Sequence, residues 1–179
     1  MRDISYRVAL GGIVSALCLV TMFLAGIIPA LYLLLPMIAG VLMMIIAVEV
    51  SGSWAMLTYI AVSLLSMIIT FDKEAALIFI MLFGHYPILR IYIEKIQLKG
   101  IRWLIKFAVF NICVVAYFYV TVYIFGLDQM LEEFGEFGRY GAYIMLGIAN
   151  VIFVLYDINL DNIYRIYRQK LMPKFRKTR

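Results

Sequence analysis

The sequence predicts an all-α membrane protein, a polytopic bundle of six transmembrane helices with both termini in the cytoplasm. Two observations carry that expectation. Of the 179 residues, 65% are hydrophobic and only 15% charged, and the mean hydropathy is +0.98; soluble domains are roughly half apolar and a quarter charged. The 16 Lys and Arg residues are also unevenly spread. Arg2 and Arg7 open the chain, a second basic group runs over residues 90–106, and a third over 165–179. Short cytoplasmic loops retain Lys and Arg, so an even number of crossings separates each group from the next. The apolar runs supply four and then two.

The first span, residues 6–28, ends at Pro29, and the uncharged stretch up to Pro36 reads as a tight outer turn because the residue before a proline leaves the helical region. The second span, 36–50, is the shortest and reaches the inside at the weakly polar turn 49–53. The third, 54–70, rises to the charged turn at Asp72, Lys73 and Glu74, where Glu74 suits the positive end of the helix that follows. The fourth span descends over 75–92. Residues 94–103 alternate basic and apolar side chains and are expected to lie on the inner leaflet. The fifth span covers 104–125. An acidic outer loop, 128–139, carries four acids against one base, and the sixth span covers 140–156. A polar helical extension leads into the basic tail, and Pro173 ends it. Such a chain has room for one membrane domain over 1–179 and little else.

Polar residues are expensive inside hydrocarbon, so those within spans are the first candidates for function. His85 precedes Arg90 by five residues, Asn111 follows Lys106 by five, and Asn150 precedes Asp157 by seven. At 1.5 Å per residue all three lie roughly 7–11 Å from the inner charges. They are candidates for one polar layer that binds a solute, although hydrogen bonds between helices account for the same residues. Pro87 removes the hydrogen bond to the carbonyl of Phe83 and breaks the helix beside His85, and a broken helix next to a titratable group is a common ion or ligand site. On the outer side Asp72, Lys73 and Glu74, with Tyr32 as an aromatic surface, are candidate solute contacts; a solvated turn explains the same charges.

Enzyme chemistry is not expected. A single histidine excludes an HExxH site, no glycine-rich phosphate cradle is present, and no motif asks for a metal or cofactor. Cys18 and Cys113 fall within spans, where free cysteines pack as small apolar groups. The excess of basic residues, giving a net charge of +5, is juxtamembrane and fits anionic lipid, not nucleic acid.

Near the inner end of the first span, Gly11 and Ser15, and Gly12 and Ala16, stand four residues apart. Such small-residue pairs allow a second helix to approach closely. With its size and expected topology, the chain resembles the substrate-binding (S) components of energy-coupling factor transporters. In that family an AxxxA pattern on the first helix docks on a coupling transmembrane subunit. The resemblance implies that Gly12 and Ala16 take this role, with Gly in place of the first Ala. It also implies a solute bound near the outer face, ATPases as energy source, and a bacterial inner membrane. A non-transporting scaffold or regulatory membrane protein, organising partners through the first helix and the basic tail, is the alternative.

Overall fold

A computed structural model describes residues 4–126 and 140–171, with side chains to 169. The described residues are helical apart from short turns, and no strand occurs among them. The chain divides into two compact units, residues 1–131 and 132–179. Helix α1 spans Ile4–Ile27, α2 Leu34–Glu49, α3 Gly52–Ile69, α4 Lys73–Ile78, α5 Tyr86–Ile93 and α6 Lys99–Tyr119; the second unit contains α7, Gly141–Ile166. Wider π-type turns extend three of these, at Phe79–Phe83, Val120–Ile124 and Tyr167–Leu171. Five helical stretches are long and apolar enough to cross a membrane: Ile4–Ile27, Gly52–Ile69, Lys73–Ile93, Lys99–Ile124 and Gly141–Gln169. The apolar α2 is shorter, at 16 residues, or about 24 Å, against a hydrocarbon core of about 30 Å. Among the described residues the protein is all-helical, with the long apolar helices of a membrane protein, and its exposed side chains agree: Ile68, Leu104, Ile112 and Ile124 are all more than 60% exposed, a side-chain choice that suits lipid and not water.

The core of the first unit forms around α2. Val14, Cys18 and Met22 of α1 meet Ala39, Met43, Ile46 and Ala47 of α2, and Ala55 and Val62 of α3 complete the contact. Small and long side chains alternate here, which lets three helices pack closely, and the Cys18 thiol adds a weak hydrogen bond to the Ala39 carbonyl at 3.5 Å. Where the end of α1 nears the turn after α3, Gly26 is required, because a Cβ there would stand 2.9 Å from the backbone nitrogen of Phe71.

The turns are fixed by caps. The Ser51 hydroxyl accepts the Trp54 amide at 3.3 Å and starts α3. Asp72 caps α4 by accepting the amides of Glu74 and Ala75 at 2.9 and 3.2 Å. The ammonium of Lys73 donates back to the carbonyls of Met67 and Thr70, at 2.7 and 3.0 Å, and closes the end of α3. The fourth apolar run is two helices. The amide of Gly84 reaches the Phe79 carbonyl at 2.7 Å, one residue further back than in an α-helix, and Pro87 then restarts the chain in the first turn of α5.

Helix α6 begins at Lys99, five residues before the span expected from the sequence. Glu94 accounts for the extension. Its carboxylate meets Lys106 at 2.6 Å, Arg102 at 2.9 Å and Arg90 at 3.5 Å, so of the bases expected on the leaflet surface Arg102 is drawn into a tight α5–α6 hairpin, while Lys95 and Lys99 stay exposed. The acidic loop 128–139 and the tail beyond 171 lie outside the described residues.

Candidate functional site

A polar seam follows the broken helix α4–α5 where it passes α3 and α6. On α3, Tyr59, Ser63, Ser66 and Thr70 recur at spacings of four, three and four, which places them on one face. Ser63, Ser66 and Thr70 are buried. On α6, Lys106, Cys113, Tyr117 and Thr121 follow the same rule, with Lys106, Tyr117 and Thr121 buried.

The helix break organises the middle of the seam. Chain interruption frees the Ile80 carbonyl, which accepts the Tyr59 hydroxyl at 2.6 Å and the Nδ1 of His85 at 3.3 Å. A carbonyl can only accept, so Nδ1 carries the proton and the imidazole is in its Nδ1–H tautomer. Nε2 then presents a lone pair, and the Cys113 thiol donates to it at 3.5 Å. The Tyr59 ring stands 6.0 Å from the imidazole and 6.0 Å from the Phe79 ring. Gly84 leaves room for this arrangement, since a Cβ there would lie 2.8 Å from both the Phe79 carbonyl and the Tyr59 ring.

At the Asp72 end, the Tyr117 hydroxyl donates to Glu74 Oε1 at 3.1 Å and joins α6 to α4. At the opposite end, Lys106 and Arg90, with side chains 3% and 6% exposed, share Glu94. The Lys106 ammonium also lies 5.1 Å from the centre of the Trp103 ring. Three buried hydroxyls along the seam, those of Ser63, Thr70 and Thr121, make no well-formed hydrogen bond in the protein, although Ser63 lies beside the Tyr59 hydroxyl and Thr121 beside that of Tyr117. Leaving a hydroxyl unpaired and dry costs about 1–3 kcal/mol, so such groups mark places where water, an ion or a ligand completes the structure.

Among the residues expected to bind a solute, His85 is held by Ile80 and Cys113, and Glu74 by Tyr117. Asp72 and Lys73 are capping groups. Asn111 donates to the carbonyl of Phe107 at 2.8 Å, one turn back on its own helix. Asn150 does the same to Leu146 at 2.8 Å, within the second unit. Tyr32 is 42% exposed and ends the short turn Pro29–Leu31. The seam also recruits Tyr59, Ser63, Thr70, Cys113, Tyr117 and Thr121, which reasoning from single polar residues passes over. Their signal is helical spacing of polar groups, 4-3-4 from Tyr59 to Thr70 and 7-4-4 from Lys106 to Thr121, visible only when weakly polar residues are counted with the strongly polar ones.

The two small-residue pairs of α1 separate cleanly. A Cβ on Gly11 would touch the Thr58 hydroxyl at 3.9 Å, whereas one on Gly12 would meet nothing within 4 Å. Gly12 and Ala16 are exposed, on the side away from the buried Val14, Cys18 and Met22. No group of three or more metal-ligating side chains occurs among the described residues. No protein family, curated protein or solved structure matches this chain.

Proposed function

We propose that the chain is a six-span subunit of a bacterial inner-membrane transporter that binds a small polar solute and depends on a partner for energy. Both termini and the Arg90–Lys106 end face the cytoplasm in this reading, as the distribution of basic residues requires. The observation that carries solute binding is the set of buried hydroxyls along the seam that the protein leaves incompletely satisfied: Thr70 without a partner, and Ser63 and Thr121 with only loose neighbours in Tyr59 and Tyr117. A solute offering donors and acceptors satisfies them, and Glu74 and Tyr117 frame the outer end. Docking on a coupling transmembrane subunit, itself driven by ATPases, is assigned to the outward face of Gly12 and Ala16, where small side chains leave a partner helix free to approach.

Native mass spectrometry of gently purified protein tests this reading. A non-lipid molecule of constant mass is expected on the wild type and lost from the Thr70→Val, Thr121→Val double variant. A wild-type chain carrying no such molecule contradicts it. Topology is checked by cysteine labelling in a background lacking Cys18 and Cys113: an impermeant reagent applied from outside should reach Asp72→Cys and not Leu98→Cys.

The alternative, a scaffold that transports nothing, has its own support. Asp72, Lys73, His85, Asn111 and Asn150 all hydrogen bond to backbone groups, which is what purely structural polar residues do. Co-purification with envelope-assembly proteins, and no retained solute, favours it.

A further inference from the structure

A second feature is independent of the seam. Between α3 and α5, at the end that carries Ser51 and Glu94, lies a groove of about 480 Å³ lined by Gly52, Ser53, Met56, Leu57, Ile88 and Tyr92. That volume is within the range of small-molecule sites, roughly 300–1,000 Å³. Its walls are apolar apart from the Ser53 and Tyr92 hydroxyls. Leu57 and Tyr92, 63% and 50% exposed, form its rim, so the groove opens on the flank of the bundle. Tyr92 reaches across it to α3, and a Cβ on Gly52 would collide with the Tyr92 hydroxyl.

A cation stands at the rim. The ammonium of Lys95 lies 4.9 Å from the centre of the Tyr92 ring and is exposed. The adjacent carboxylate does not neutralise it, because Glu94 is engaged by Arg90, Arg102 and Lys106. An apolar trough ending in an unneutralised cation is complementary to an amphiphile with an anionic head. We infer that the groove is a binding site for one anionic phospholipid, with an acyl chain along Met56, Leu57 and Ile88 and the phosphate on Lys95 and the Ser53 hydroxyl. A cation at this depth attracts anionic lipid by an amount that favours it about fivefold.

The full chain in nanodiscs of equal palmitoyl-oleoyl phosphatidylglycerol and phosphatidylcholine, released for native mass spectrometry, tests the site. The wild type is expected to retain one phospholipid, with phosphatidylglycerol preferred about fivefold. Lys95→Gln should bring the ratio close to one while a lipid is still retained. Leu57→Trp fills the groove from its exposed rim without entering the core, and should lower retention of both lipids. Leu64→Trp, also exposed on α3 but outside the groove, is the control and should behave as wild type, with equal melting temperatures confirming that all variants fold. The inference is overturned if the wild type retains no phospholipid, if it takes the two lipids equally, or if Leu57→Trp retains as much as Leu64→Trp. A co-purifying protein that cross-links to the groove in place of lipid also overturns it.

Discussion

Between α1, α2 and α3 the first unit is joined by Val14, Cys18, Met22, Ala39, Met43 and Val62, whereas α4 and α5 meet α6 through Glu74 on Tyr117, His85 on Cys113 and Glu94 on Lys106. The first contact rests mainly on shape, with a weak hydrogen bond from the Cys18 thiol to the Ala39 carbonyl. In the second the groups depend on particular partners, and the buried hydroxyls of Ser63, Thr70 and Thr121 make no well-formed hydrogen bond in the protein. Lipid is as apolar as leucine, so burying more leucine between helices gains little in a membrane, and close packing or hydrogen bonds must supply the specificity. This molecule uses packing on one side and hydrogen bonds on the other. The side with incompletely satisfied hydroxyls is where a polar guest gains most.

Substitutions on the two sides should differ in kind. The largest loss is expected for Phe79→Ala, which empties a fully buried position where both sides meet. A cost of about 3–5 kcal/mol is typical of such a cavity, read as a lower denaturation midpoint in detergent. Glu94→Gln comes next. It leaves Lys106, almost fully buried, facing a neutral amide, and breaking such a pair costs about 3 kcal/mol; Lys106→Met in the same chain should recover part of that loss, because the buried charge is then gone. Tyr117→Phe removes one hydrogen bond from Glu74 and should cost about 1 kcal/mol, together with any solute held at that end.

Two smaller effects refine the picture. His85→Leu leaves the Ile80 carbonyl with the Tyr59 hydroxyl alone and the Cys113 thiol without its acceptor, a loss of about 1 kcal/mol. His85→Gln, which can still donate to Ile80, should lose less. If both variants change stability but not solute retention, His85 is a strut for the helix break. On α1, Gly11→Leu should destabilise the fold by about 1–3 kcal/mol by crowding Thr58. Gly12→Leu, together with Ala16→Leu, should leave the midpoint within about 0.5 kcal/mol of wild type and still abolish capture of a membrane partner. Equal effects of Gly11 and Gly12 substitutions on stability would mean that both faces pack internally.

The membrane-helical character of the chain was readable because it rests on a quantity that sums along the sequence, apolar runs near the length of a bilayer, whereas the caps at Ser51 and Asp72 emerge only from the structure. Pro87 announced the break in the fourth run, since a missing donor disrupts a helix whatever surrounds it. What His85 would do at that break was not readable. Its partners, Ile80 and Cys113, lie five and 28 residues away, and a cysteine in an apolar run looks like packing until a histidine is placed beside it. Glu94 was read as one member of an alternating surface segment, and its grip on Lys106 and Arg102 depends on a turn geometry that charge spacing does not encode. Ser63, Thr70 and Thr121 were hidden for the opposite reason, because single hydroxyls are cheap enough in a helix to raise no signal until their common face is counted.

The contrast between a dry contact and a seam that admits polar guests is tested most directly by substituted-cysteine accessibility. In a background carrying Cys18→Ala and Cys113→Ser, single cysteines at Ser63, Thr70 and Thr121 are compared with one at Met43 in reconstituted protein, using a small charged methanethiosulfonate reagent that reacts only where water reaches. Modification of the three seam positions, with Met43→Cys left unmodified, is the result that the account predicts. Seam cysteines no more reactive than Met43→Cys would show the seam to be as dry as the core and would contradict it.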